Sequence, residues 1–149
     1  MGAQAEPALR TARLLLTPLA EEDAGPLAAV LTDPALWRHV GGEAETADTF
    51  RRRAADTDPA HLNWVVRQPE VAGYVQATLD GGVAWLAWVI GADFQRRGYA
   101  TEAAAAVRDH LAVPAAAAIA EQNLASEAVA RTIGLSPTDE QSDGERIWR

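Results

Sequence analysis

A chain of 149 residues that is 48% hydrophobic has the size and apolar content of one compact domain, residues 1–149, with a core of its own. Its net charge of −8 argues against broad nucleic-acid binding, and the absence of cysteine excludes disulfides, thiolate metal sites and a cysteine nucleophile. Three scattered histidines make no metal cluster, the N-terminus lacks a basic-then-apolar leader, and no apolar run approaches ~20 residues. The expectation is a soluble, cytoplasmic protein with no metal, membrane or nucleic-acid partner.

Residues 1–8 read as a flexible start. Leu14, Leu16 and Leu19, mixed with Arg10, Arg13 and Thr17, predict a strand over 9–19 that Pro18 ends or leaves at an edge. An acidic first turn followed by Leu27, Val30 and Leu31 at helical spacing predicts a helix over 21–31, stopped by Asp33-Pro34. A second helix is expected near 46–55, its Arg51-Arg52-Arg53 run forming a solvated face. Three strand-like runs follow, 62–67, 71–79 and 83–90. The links between them, Gln68-Pro69-Glu70 and Asp80-Gly81-Gly82, are short and turn-forming, which predicts an antiparallel meander. A helix over 99–111 ends before Pro114. Ala115 to Ala120 is a strand by position although alanine favours helix. A helix over 124–133 is closed by Gly134, and the tail forms a hairpin around Ser142-Asp143-Gly144. The order is βααβββαβαββ, with no internal repeat and no linker.

The most informative stretch is Val89 to Ala103, where an apolar strand breaks into a basic, glycine-containing loop that opens directly into an alanine-rich helix. Backbone N–H groups of Arg96 to Ala100 are left unpaired there and can point at an anion along the positive end of the helix dipole. Gly98 removes a Cβ where a phosphate must come close. The loop lacks the Lys-Ser/Thr pair of nucleotide triphosphatases. It also follows a meander rather than the first strand of a parallel unit, so it is no dinucleotide fingerprint.

Gln95-Arg96-Arg97-Gly98-Tyr99-Ala100 resembles the Q-x-x-G-x-A pyrophosphate loop of the GCN5-related N-acetyltransferases. Two further pieces agree. Thr11-Ala12-Arg13-Leu14-Leu15-Leu16 with Asp23 resembles the opening T-x-R-L-x-L of the branch that includes the ribosomal-protein N-terminal acetyltransferases. Asn123-Leu124-Ala125-Ser126 followed by Gly134-Leu135 resembles that family's N-x-x-S/A…G-F/L segment. The likeness spans most of the chain. It implies an α+β, three-layer fold, a mixed and mostly antiparallel twisted sheet flanked by helices, and acetyl-coenzyme A as the acyl donor, with no metal.

Carried over residue by residue, the resemblance assigns Gln95, Arg96, Arg97, Gly98, Tyr99, Ala100 and Thr101 to the diphosphate. Trp88, Val89 and Ile90 form the strand that pairs with the pantetheine arm, and the strand over 115–120 splays away to make room for it. Asn123 lies beside the arm. Ser126 faces the thioester sulfur.

An amine attacking a thioester needs a donor for the developing oxyanion and a proton source for the departing sulfur. A backbone N–H near Val89 is the expected donor. Many relatives use a tyrosine seven residues after the asparagine as the acid, and that position here is Ala130. In the branch resembled, the serine three residues after the asparagine takes the role, so Ser126 is the candidate catalytic residue; the competing reading is a helix serine bonded back to the preceding turn. No general base is assigned. Glu102 reads as a helix-stabilising carboxylate, and Trp85 stands where relatives often carry an acid.

His39, Trp37 and Trp85, with Trp88, are candidates for lining the acceptor site, while Trp64 and Trp148 read as core. The resemblance implies direct acetyl transfer to a primary amine, either a protein or peptide α-amine or a small amine metabolite. The C-terminal part is short for the family, which leaves a homodimer partner as one way to complete the acceptor wall. The alternative is a catalytically silent domain that binds acyl-coenzyme A as a ligand or sensor, suggested by the missing tyrosine and base.

Overall fold

A computed structural model describes residues 6–37 and 44–149; His39 lies outside the described residues. The strand expected over 9–19 is a hairpin instead, with β1 (Leu9–Arg10) antiparallel to β2 (Leu15–Pro18) and Leu9 opposite Leu16. The cause is local. Thr11 N–H donates to the Leu14 carbonyl at 3.0 Å and Leu14 N–H donates to Thr11 Oγ1 at 2.9 Å, so a threonine side chain diverts the backbone from extending.

The helix expected over 21–31 begins as a 3-10 turn, Glu21–Asp23, and continues as α1 (Ala24–Val30). Asp23 is buried there, accepting from Ala20 N–H at 3.0 Å and from Arg67. A second 3-10 turn, Pro34–Trp37, was not expected. In α2 (Ala47–Ala55), Phe50 and Ala54 face inward. Arg51 and Arg52 are solvated as expected, but Arg53 turns in to pair with Glu45 and lies over the Phe50 and Tyr74 rings, 5.4 Å from each centroid.

β3 (His61–Arg67), β4 (Val71–Asp80) and β5 (Val83–Ile90) form the expected meander. Then come α3 (Tyr99–Leu111), β6 (Ala115–Ala120), α4 (Leu124–Thr132), β7 (Pro137–Ser142) and β8 (Glu145–Trp148). The sheet order is β1-β2-β3-β4-β5-β6-β8-β7, antiparallel except where β5 meets β6. The alanine-rich β6 is extended because β5 and β8 supply ladder partners on both sides, and that tertiary pairing outweighs alanine's helix propensity.

Helices cover both faces of the sheet. Trp64, Val66, Val75 and Leu86 pack with Ala103, Val107, Ala130 and Ile133 of α3 and α4. Val65 and Tyr74 pack on the other face with Leu27, Leu31 and Phe50 from the α1–α2 side. This is the three-layer α+β arrangement that the resemblance implied.

Two features of β5 matter for function. Its parallel register with β6 covers only Ala84↔Ala115 and Trp85↔Ala116, after which the strands part. On its other side, Gly73 of β4 lies opposite Ile90, where an added Cβ would stand 2.1 Å from the Val89 carbonyl oxygen and 2.9 Å from Ile90 Cα. Backbone atoms cannot swing aside as a side chain does, so Gly73→Ala must push β5 off β4. We expect a loss of about 1–3 kcal/mol in urea unfolding, and an unchanged midpoint would contradict this close approach.

Candidate active site

The turn from β5 into α3 does what its sequence suggests. Gly98 caps α3 in the left-handed region at φ 79°, and Arg96 precedes it at φ 65°. The first helical bond runs from Glu102 N–H to the Gly98 carbonyl at 3.0 Å. The N–H groups of Tyr99, Ala100 and Thr101 are therefore outside the helix's own ladder and collect at its positive end. Tyr99 is buried and donates from its hydroxyl to Gln68 Oε1 at 3.1 Å, which fixes the helix start to the β3–β4 turn.

Glu102 anchors the same end to the N-terminal hairpin. Its carboxylate accepts from Thr11 Oγ1, from Arg13 N–H at 3.0 Å and from Arg13 Nε at 2.8 Å. Burial pushes its pKa up, but the bonds from Thr11 and Arg13 outweigh it and leave the group below the usual carboxylate range. On acidification the unfolded state takes up this proton first. The clamp's stabilisation is thus complete above the unfolded pKa and lost as pH falls through the folded one. Melting of wild type and Glu102→Gln between pH ~6 and ~3 should show a steeper acid decline for wild type; parallel curves would count against the clamp.

A cavity of about 590 Å³ extends from this helix start. It is lined by Gln95, Arg96, Gly98, Tyr99, Ala100 and Thr101, then by Trp88, Val89 and Ile90, and at the far end by Asn123 and Ser126. Arg97 stands apart, its guanidinium 6.0 Å from the Phe94 ring centroid. The Gln95 side chain donates to the Ile90 carbonyl at 3.0 Å and so ties the loop to the end of β5. Sequence reasoning missed Phe94, Leu36 and Leu124 in the wall. Leu124 is 72% exposed and presents an apolar side chain to the cavity.

A second space of about 60 Å³ occupies the gap where β5 and β6 part, lined by Trp88, Ala87, Ala118, Asn123, Ser126 and Glu145 among others. Trp88, Asn123 and Ser126 border both spaces. Peptide groups alternate sides along a strand. Gly91 N–H bonds the Ala72 carbonyl toward β4, and Ala84 N–H bonds the Pro114 carbonyl toward β6. The amide of Trp88 therefore faces the gap beyond the end of the β5–β6 ladder, whereas Val89 faces Tyr74 on β4. The open N–H near Val89 is that of Trp88.

At the gap, Asn123 Oδ1 caps α4 by accepting from Ser126 N–H at 3.2 Å. Ser126 Oγ has no hydrogen-bond partner among the described residues. Thr132 on the same helix does bond back, to the Ala128 carbonyl at 2.8 Å, so that competing arrangement does not apply to Ser126. Ala130 is fully buried. Glu145 enters the gap because β8 pairs it with Ala120. Burial, then the nearby Asp143 charge, push its pKa up. No local signal in the sequence singles it out.

The tryptophans divide. Trp64 and Trp148 are core as expected. Trp37 is 2% exposed, with its indole N–H on the Leu31 carbonyl at 2.8 Å, so it packs the second core and lines neither space. Trp85 is half-buried on β5, with the Arg149 guanidinium 5.3 Å from its ring centroid. Among the described residues no group of three or more His, Cys, Asp or Glu is placed to hold a metal ion, and no helix is long and apolar enough to cross a membrane.

A splayed strand pair running into a phosphate-ready helix start is the layout of an acetyltransferase of the GNAT type. The family model of the acetyltransferase (GNAT) domain matches residues 13–136, and the chain belongs to that family. Acetyl transfer from acetyl-coenzyme A is accordingly its chemistry.

Among solved structures, an acetyltransferase from Agrobacterium tumefaciens is 28% identical, with a TM-score of 0.79 over 97% of this chain and 94% of its own. RimL, a ribosomal L7/L12 α-N-protein acetyltransferase solved with coenzyme A, is 17% identical, with a TM-score of 0.80 over 95% and 96%. The microcin C7 self-immunity acetyltransferase MccE, solved with acetyl-coenzyme A and AMP, is 16% identical, with a TM-score of 0.78 over 93% and 92%. A search of curated proteins gives no match.

Proposed function

We propose that the chain transfers acetyl directly to a primary amine that meets the thioester in the gap between β5 and β6. The observation that carries this reading is the convergence there of three unspent groups: the Trp88 peptide, Ser126 Oγ and the Glu145 carboxylate. The cavity suits the donor, since free amides and Arg96 stand at one end for the diphosphate and the partnerless edge of β5 lies along the middle for the amides of the arm.

When bound, acetyl-coenzyme A supplies a carbonyl open to attack and a thiolate leaving group. Trp88 N–H is the donor for charge gathering on that oxygen. Ser126 Oγ donates to the departing sulfur. Glu145, its proton affinity raised by burial, takes the proton of the incoming ammonium and is the base that sequence reasoning did not find.

The acceptor is an amine on an apolar or aromatic body. Trp85 and the exposed Ala87 share a face with Val89, which packs toward the α1–α2 core, and the exposed Ala118 stands across the gap. RimL acts on a protein α-amine, and a peptide α-amine with an apolar neighbouring side chain fits that platform, as does a small aromatic amine.

Ser126→Ala tests the assignment of the leaving-group donor. Since the bond strengthens only as charge develops on sulfur, kcat should fall about tenfold to a thousandfold while acetyl-coenzyme A affinity holds. If affinity falls and kcat holds, the serine orders the cofactor instead. An unchanged variant would leave the proton to water and remove Ser126 from the mechanism.

A further inference from the structure

Gly98, which lines the phosphate end of the cavity, has beside it a cation from outside both the loop and the cavity's lining. Arg13, on the turn between β1 and β2, reaches α3 through its backbone N–H and its Nε, both on Glu102, at 3.0 and 2.8 Å. Its Cζ lies 4.9 Å from the centroid of the Tyr99 ring, and its Nη2 lies 3.2 Å from where a Cβ would stand on Gly98. Thr11 Oγ1 holds the same carboxylate. The clamp uses only the Nε of the guanidinium. Its two terminal amino groups carry no hydrogen bond among the described residues, and the side chain is 48% exposed.

A staple between hairpin and helix needs the Nε contact but not the free fork directed at Gly98. In a chain of net charge −8, Arg13 brings a guanidinium to Gly98 from outside the loop that carries Arg96. Because Glu102 offsets part of its charge, Arg13 contributes mainly two directed N–H donors, the geometry that suits a phosphate.

We propose that Arg13 is a direct ligand of the cofactor's diphosphate, donating from its terminal amino groups beside Gly98, with Glu102 and Thr11 as the positioning residues that aim it. This rests on the acetyl-coenzyme A reading above. It adds to the phosphate site a residue more than eighty positions upstream of the loop.

The test is a set of titrations with coenzyme A, dephospho-coenzyme A and pantetheine, followed by tryptophan fluorescence because Trp88 lines the cavity. Arg13→Gln should weaken coenzyme A and dephospho-coenzyme A alike, by about tenfold, and leave pantetheine unchanged. Unchanged coenzyme A affinity overturns the proposal. So does a loss shared by pantetheine, which would make Arg13 a fold contact, and so does a loss spared by dephospho-coenzyme A, which would move the contact to the 3′-phosphate.

Glu102→Gln frees the guanidinium without removing it and should give a smaller loss with the same ligand pattern. A loss as large as that of Arg13→Gln would mean that Arg13 acts only by holding Glu102, and overturns the proposal. If Arg13→Gln does not fold, Arg13→Lys replaces it: the lysine keeps the charge but not the fork, so a loss of about threefold confined to phosphate-bearing ligands is expected, and none overturns. Failure of wild type to bind coenzyme A would instead sink the parent reading.

Discussion

Replacing Gly98 by valine should reduce coenzyme A affinity at least about a hundredfold while leaving a cooperatively folded protein. At φ 79° a β-branched side chain is strained by about 1–3 kcal/mol, and the backbone relieves that strain by turning out of the left-handed region. The turn that delivers the amides of Tyr99, Ala100 and Thr101 to one point is then lost. The new side chain also meets Arg13 Nη2, which must move. Calorimetric titration with coenzyme A, alongside a thermal melt of the same sample, separates lost binding from lost fold. A folded Gly98→Val protein that binds normally would remove the phosphate site from this turn.

Glu145→Gln should have the largest effect on rate. A glutamine keeps the shape of the gap but cannot accept the ammonium proton, so kcat/KM should fall by about 10²–10⁴ with affinity for the donor retained. The pH profile carries the sharper signature. Burial, then Asp143, raise the pKa of Glu145, and the active form is the ionised one that prevails above that pKa. Wild-type kcat/KM should therefore climb with pH through the Glu145 titration, and the variant should lose that limb. A variant that keeps both its rate and the limb would show that another group or solvent takes the proton.

The meander and the glycine turn into α3 were legible because their signals are local: turn residues between apolar runs, and a glycine placed between a strand and a helix. The all-alanine β6 was legible only through its place in the order of elements, since its composition argues for helix and its pairing with β5 and β8 decides otherwise. The first hairpin was not legible. An alternating run conceals a turn that one threonine hydroxyl closes.

The tryptophans show a different limit. Residue type gives burial a probability but no address, so Trp37, expected beside the acceptor, fills the second core, while Trp85 stays half-exposed on the sheet. The roles we propose for Glu145 and Arg13 were out of reach for a related reason. Each acquires its role through a long-range pairing, Ala120 with Glu145 in one case and Arg13 with Glu102 in the other. Ser126 was singled out by its motif, yet its free hydroxyl is a fact of packing that the motif does not encode.

The central claim is catalysis at the gap, and the most direct measurement is thiol release from acetyl-coenzyme A by the purified protein, with and without a panel of primary amines. Peptides with apolar residues at or next to the N-terminus and small aromatic amines belong in the panel. The account predicts amine-dependent thiol release matched one for one by acetylated amine, and its loss in Glu145→Gln. Tight coenzyme A binding with no amine-dependent release from any member of the panel would contradict it and make the chain a binding domain.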